Sequence, residues 1–376
     1  MERIYLDNAA TTPLSPVAEE AMQRAMRDGF GNPASSHAFG RRARQLLEDA
    51  RERIAARLDA KPDEVIFTSG ATEANNLALF GLATNPGSVA VADLEHPCVL
   101  EPIAELERRG WTRQRLRVNR DGMLEIPSEW PADLRLVAAM QVNHETGVRQ
   151  PVAELTASVG ERAVVHCDAA AAVGKIAVSF RKLGVHTLAC SAHKFHGPIG
   201  IGALIVRKGV KLKPSLFGGH QQHARRPGTE SPMLAVGMAA ALDEACEGME
   251  QNTKHVAEVR TAFLQGIADA RPIVVHGGEH AIPYVASVSF PGLKSDALLI
   301  ALDLAGVACS AGSACSSGSL LPSAVLQAMR LPNEDLTSAV RFSFSRQTTV
   351  SVASESARRI TLAVKRLRQG AKTENS

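Results

Sequence analysis

The sequence predicts an α/β protein, with a large domain built on a mainly parallel sheet and a smaller α+β domain after it. Three observations lead there. Short runs rich in Val, Ile, Leu and Ala alternate with helical patterns between residues 64 and 206. The chain has 376 residues, enough for two cores. No internal repeat or low-complexity linker interrupts the pattern.

Ser15 before Pro16 marks a helix start, with Ala18, Met22 and Met26 expected on one face. Leu47, Ala50, Ile54 and Leu58 form a second helical stripe. Residues 64–68 (EVIFT) read as a strand that runs through the turn SGATE (69–73) into an Ala/Leu-rich helix. Further strands are expected at 88–91, 136–140, 163–167, 187–190 and 202–206. An Ala/Met-rich helix over 232–247 leads out of this domain. The tail carries strands near 286–290 and 339–343. It closes with an amphipathic helix over 352–367, with Ile360, Val364 and Leu367 on one side. The expected division is a large domain over 13–248 and a small one from 1–12 plus 249–376, with a loop at about 309–323 in the latter.

Composition narrows the function classes. Apolar residues make up 45% and charged residues 22%, and the net charge is +3, so nothing points to nucleic acid or direct membrane binding. The N-terminus shows no signal-peptide pattern, and no apolar run reaches the length of a membrane span. The six cysteines (98, 167, 190, 246, 309, 315) are scattered without CxxC spacing. No disulfide framework or metal site is expected, and a reducing cytoplasm fits.

The chemistry-bearing segment is 191–202 (SAHKFHGPIGIG), where a strand ends and Lys194 follows at once beside Ser191 and His193. Read alone it is a lysine on a loop. Three other segments change that reading. The turn at 68–72 (TSGAT) opens a helix, whose first amides favour a phosphate. Asp168 ends a strand in HCDA, where an acid pairs with a protonated pyridine nitrogen. His96 follows a strand in EHPC, where an imidazole can stack on a cofactor ring. Thr72, His96, Asp168 and Lys194 all follow expected strand ends, where open α/β sheets gather their ligands.

These segments belong to a longer series: YLDNAATTP (5–13), GNPASSH (31–37), TSGATE (68–73), NHETG (143–147), SAHK (191–194), RPGT (226–229), SAGSACSS (310–317) and RFS (341–343). In that order they resemble the cysteine desulfurases of the NifS/IscS type, in the class V aminotransferase family of fold-type I pyridoxal-phosphate (PLP) enzymes. The resemblance implies a large domain with a seven-stranded, mainly parallel sheet. It implies that Lys194 holds PLP as a Schiff base and moves protons at the substrate Cα. It implies that His96 stacks on the ring and shares in acid–base steps, that Asp168 pairs with the ring nitrogen, and that Ala71, Thr72, Ser191 and His193 hold the phosphate. Thr229 resembles the residue that reaches the phosphate of a neighbouring subunit, implying a homodimer. Arg341 resembles the clamp for the carboxylate of L-cysteine, with Asn143 and His144 close to the substrate. Cys315 resembles the thiol that attacks the substrate sulfur, becomes a persulfide and leaves alanine behind. Cys309 is the rival thiol, placed on an expected strand outside the loop motif. The stretch 315–323 matches the long-loop branch of the family better than the SufS-like one.

Two departures stand out. Alanine occupies position 171, where the family carries a glutamine bonded to the cofactor's phenolic oxygen. Losing that hydrogen bond costs about 1 kcal/mol. His144 stands where some relatives have asparagine, and its imidazole is a candidate to take over part of the missing contact. The short tail offers no basis for scaffold docking of the kind some relatives show. The leading expectation is therefore desulfuration of L-cysteine, with the sulfur passed to an acceptor protein for iron–sulfur clusters or other sulfuration. Selenocysteine lyase and a low-activity PLP-binding relative are the alternatives.

Overall fold

The computed structural model describes residues 2–312 and 323–373. Its strands are β1 (Ile4–Tyr5), β2 (Val65–Thr68), β3 (Ser88–Ala92), β4 (Thr112–Leu116), β5 (Leu134–Met140) and β6 (Val164–Asp168). They continue with β7 (Thr187–Ser191), β8 (Gly202–Val206), β9 (Val274–His276), β10 (Val285–Ser289), β11 (Val307–Ala308) and β12 (Ala339–Ser343). Seven of them form one sheet in the order β2-β8-β7-β6-β5-β3-β4. Five neighbouring strands from β7 to β4 run parallel, while β8 is antiparallel to both β7 and β2. The exception has a local cause. Parallel neighbours need a crossover of a dozen or more residues, and only 192–201 separate β7 from β8. The carboxyl ends of β2, β3, β5, β6 and β7 therefore share one edge of the sheet.

Six of the seven strands match the sequence reading. β4 escapes it because four of its five residues (TRQRL) are polar, as an edge strand allows. The strands β3, β7 and β8, and β2 at the other edge, are buried throughout, which explains their largely apolar runs.

The Pro16–Asp28 helix, capped by Ser15, packs on the Pro232–Glu247 helix. Its buried stripe is Ala18, Ala21 and Ala25, not the expected Ala18, Met22 and Met26. A spacing of four drifts about 40° per step around a helix, so the stripe rotates away from its neighbour. Met22 lies at the margin beside Gly237, where an added Cβ would meet its Cγ at 2.5 Å, and Met26 is 60% exposed. The stripe Leu47, Ala50, Ile54 and Leu58 is buried as expected.

In the second half, β12, β10 and β9 make an antiparallel sheet, and β1 pairs in parallel with β11. The Val350–Thr373 helix packs on the Met249–Gly266 helix, with Ile360 and Val364 buried and Leu367 at the edge. Phe342 packs against Phe263 and Phe290. Alternation along β12 then turns Arg341 to the opposite face. No helix among the described residues is long and apolar enough to cross a membrane.

Candidate active site at the carboxyl edge of the sheet

The Lys194 turn is clamped by the N-terminal segment. β7 ends at Ser191 and a single 3-10 turn, Ala192–Lys194, follows. The Lys194 Nζ donates to the carbonyls of Ala9 (2.6 Å) and Ala10 (2.9 Å). The Thr12 hydroxyl donates to His193 O at 2.8 Å and accepts from His196 N at 2.7 Å. His193 Nδ1 lies 3.1 Å from Thr11 Oγ1. Burial and the nearby charges of Lys194 and Lys175 push the His193 pKa down to about 4, so the ring is neutral.

Asp168 ends β6 and is 6% exposed. Its Oδ1 accepts from Ala170 N at 2.9 Å and its Oδ2 from Asn75 Nδ2 at 2.7 Å. Across the edge, the Ala71–Leu82 helix begins after Gly70 without a side-chain cap, which leaves the first-turn amides of Ala71 and Thr72 directed at the site. A Cβ on Gly70 would sit 3.5 Å from Ser191 Oγ. A Cβ on Gly202 would meet Cys190 O at 2.5 Å and Gly70 Cα at 2.7 Å. Only a glycine at 202 permits this approach of turn and strand, and the result is a concave rim of amides and a hydroxyl.

His96 caps the Pro97–Arg108 helix by accepting from Cys98 N. Its ring meets the His144 ring edge-on at 5.1 Å. His144 is carried by a turn that Asn143 holds: Asn143 Oδ1 accepts from Glu145 N, Thr146 N and Thr146 Oγ1, and its Nδ2 donates to Leu94 O. Arg341 approaches from β12, donating to His144 O at 3.0 Å and pairing with Asp7 at 2.9 Å. Both ring nitrogens of His144 and the Nε of Arg341 are buried with no hydrogen-bond partner among the described residues. Such orphans are rare in a finished core and common where a ligand completes the bonding. Burial first, then His96, Arg341 and Lys194, hold the His144 pKa well below the ordinary histidine value.

A class V aminotransferase family model matches residues 4–352. The chain belongs to the class V aminotransferase family. The cysteine desulfurase IscS of Dictyoglomus turgidum is 39% identical over 357 residues, covering 92% of this chain and 90% of that one. The fold superposes on a solved NifS-like protein with a TM-score of 0.91 at 31% identity, covering 96% of this chain and 99% of the other. It also superposes on SspA in complex with cysteine, with a TM-score of 0.80 at 30% identity over 91% and 99% of the two chains. Class V aminotransferases depend on PLP, and the residues here fit that group. A buried carboxylate, an amide-and-hydroxyl rim and a lysine amine converge on one edge, with unpartnered donors beside them.

Thr229 is exposed on the loop before the Pro232–Glu247 helix, and no hydrogen bond links it to the cluster among the described residues. Cys315 lies outside the described residues. The chain on either side of that segment returns to Glu145. A Cβ on Gly312 would meet Glu145 Oε2 at 2.5 Å, and the Ser323 hydroxyl donates to the same oxygen. Cys309, the rival thiol, is largely buried, and desolvation with the Asp7 charge pushes its pKa up to about 12.

Sequence reasoning missed three groups here. Asn75 sits inside a helix and meets Asp168 across 93 positions of chain. Glu145 lies within a noted motif, yet its contacts with Gly312 and Ser323 appear only in the fold. Lys175 lines a cavity of about 20 Å³ together with Lys194 and Thr12, and burial with the Lys194 and Arg341 charges lowers its pKa to about 7. The sequence signal for Lys175 was only its distance of seven residues past Asp168.

Proposed function

We propose that the chain is a desulfurase that converts L-cysteine to L-alanine and carries the sulfur away as a persulfide on Cys315. The observation that supports it most is the pair of buried groups that make no hydrogen bond, the His144 ring, 3.6 Å from Glu145, and Arg341 Nε, beside Lys194 and His96. Lys194 is the amine that would hold PLP and shuttle the proton at the substrate Cα. Asp168 would face the ring nitrogen, His96 would stack on the ring, and Ala71, Thr72, Ser191 and His193 would hold the phosphate. PLP, when bound, supplies an electron-withdrawing ring that loosens the bonds at the substrate Cα and Cβ.

Arg341 takes the carboxylate of L-cysteine, and its fixed partners Asp7 and His144 O leave the Nε edge for that contact. Asn143 holds the turn that presents His144, and His144 supplies the hydrogen bond that Ala171 lacks. Cys315 attacks as a thiolate. A bond forms between its sulfur and the substrate sulfur, the Cβ–S bond breaks, and its electron pair stays with the carbon that becomes the alanine methyl group. A thiol or other reductant releases the bound sulfur.

Homodimerisation, with Thr229 completing the neighbouring phosphate site, belongs to the same reading. It is supported by Phe30 and Phe39, which are 73% and 58% exposed and lie 4.9 Å apart, since large apolar groups on a surface mark contact sites. A cytoplasmic location and a protein acceptor for the sulfur complete the proposal. The test is to incubate the cofactor-loaded protein with L-cysteine and a reductant and to measure alanine and sulfide. Equal amounts of both support the proposal, with loss of both in Cys315→Ser. Bound cofactor with neither product refutes it.

A further inference from the structure

Behind the site runs a connected set of hydrogen bonds that the proposed roles do not use. Asn75, fully buried, donates from Nδ2 to Asp168 Oδ2 (2.7 Å) and to Cys98 Sγ (3.0 Å). Its Oδ1 lies 2.8 Å from His166 Nε2, and His166 Nδ1 lies 2.8 Å from Thr187 Oγ1. Cys98 Sγ lies 2.9 Å from His96 Nδ1, which also accepts from Cys98 N at 3.1 Å.

We infer that Asn75 and Cys98 are positioning residues that tie Asp168 to His96, orienting the Asp168 carboxylate and fixing where the proton sits on the His96 ring. One arrangement of protons satisfies all of these contacts. A carboxylate only accepts, so the Asn75 amide must turn its NH2 toward Asp168 and its oxygen toward His166. That oxygen only accepts, so His166 carries its proton on Nε2 and receives the Thr187 hydroxyl on Nδ1. Full burial, which pushes the His166 pKa down to about 3, keeps this imidazole neutral and the order intact. The second Asn75 N–H reaches Cys98 Sγ, so the thiol's own proton points onward to His96 Nδ1. With two donors on it, Nδ1 bears no proton, and the neutral His96 ring carries its hydrogen on Nε2. Two groups that flank the site are thus set through one amide and one thiol.

The groups facing His96 are Asp168, Lys194, Arg341, His144 and Cys98. Desolvation lowers its pKa first of all, Asp168 opposes that, and Lys194 and Arg341 add to it. The Cys98 hydrogen bond favours the neutral ring, so its removal should raise the pKa.

The inference rests on the proposed function for what Asp168 and His96 do, and its test is independent of turnover. The cofactor-loaded protein with 15N-labelled histidine is titrated by NMR, with His96 assigned by its absence in His96→Asn. The expected result is an Nε2–H tautomer for His96. Its pKa should rise by about half a unit to one unit in Cys98→Ala and return toward the parent value in Cys98→Ser. Asn75→Ser should shift the pH titration of the bound cofactor's visible absorbance. Cys98 lies at a helix start and is only partly buried, so its variants keep the test available if Asn75→Ser does not fold. An Nδ1–H tautomer, or a His96 pKa unmoved by Cys98→Ala, overturns the inference. Neither result depends on whether L-cysteine is desulfurated.

Discussion

Replacing Glu95 by glutamine should remove a pH dependence from the protein's stability. Glu95 precedes His96 and is 2% exposed. Its Oε1 accepts from Met140 N at 2.7 Å, and its Oε2 has no partner among the described residues. Desolvation, outweighing the Met140 bond and reinforced by Asp168, raises its pKa from 4.5 to about 8. An acid raised in the folded state holds a proton that the unfolded chain has already lost. Stability from this group is therefore complete below pH 4.5, falls as the pH rises, and levels off above about 8. The displacement corresponds to a ceiling of about 5 kcal/mol, reduced by any water that reaches the carboxylate. Glutamine keeps the shape without the charge. Urea unfolding from pH 5 to pH 9 should show the parent losing stability through this window and Glu95→Gln losing much less. The variant should be the more stable protein at pH 9. An unchanged slope, or a variant weaker than the parent at pH 9, would refute the reasoning that the fold keeps Glu95 neutral beside Asp168.

Lys175 works in the opposite direction. Its folded pKa of about 7 lies below the ordinary 10.5, so its contribution is present above 10.5 and is lost as the pH falls through 7. Lys175→Met should flatten the rise in stability between those values, read from the same urea series extended to about pH 11. Arg341→Lys keeps the charge but cannot serve Asp7, His144 O and a carboxylate together. Its kcat/KM for L-cysteine should fall roughly 10- to 100-fold, mainly through KM. Cys309→Ser should leave alanine production at the parent rate, because a thiol with a pKa of about 12 supplies almost no thiolate at neutral pH. A dead Cys309→Ser variant with normal cofactor binding would reverse the choice between the two cysteines.

What was legible in the sequence follows the range over which each feature is decided. Buried strands such as β3 and β8 announce themselves by apolar runs, and the alternation with helices gives the parallel sheet. β4 and β9 do not, because each leaves most of its residues in solvent. Lys194 and Asp168 were visible because each directly follows or ends a strand, where the fold collects chemistry. Asn75 was not, because nothing in its own helix marks an interior amide as a partner of His166 and Asp168. The Met22 and Met26 face failed for a different reason: hydrophobicity suggested the side, while packing on the Pro232–Glu247 helix buried the alanines Ala18, Ala21 and Ala25. The orphaned His144 ring is likewise a property of three elements meeting, and no single motif carries it.

Two lysines, 194 and 175, line the same small cavity, and each is partly or wholly withdrawn from water. The most direct test of the account is to reduce the cofactor-loaded protein with borohydride, digest it, and find by mass spectrometry which lysine carries the pyridoxyl group. The account predicts the modification on Lys194, with Lys175 unmodified. The label on Lys175 would contradict it.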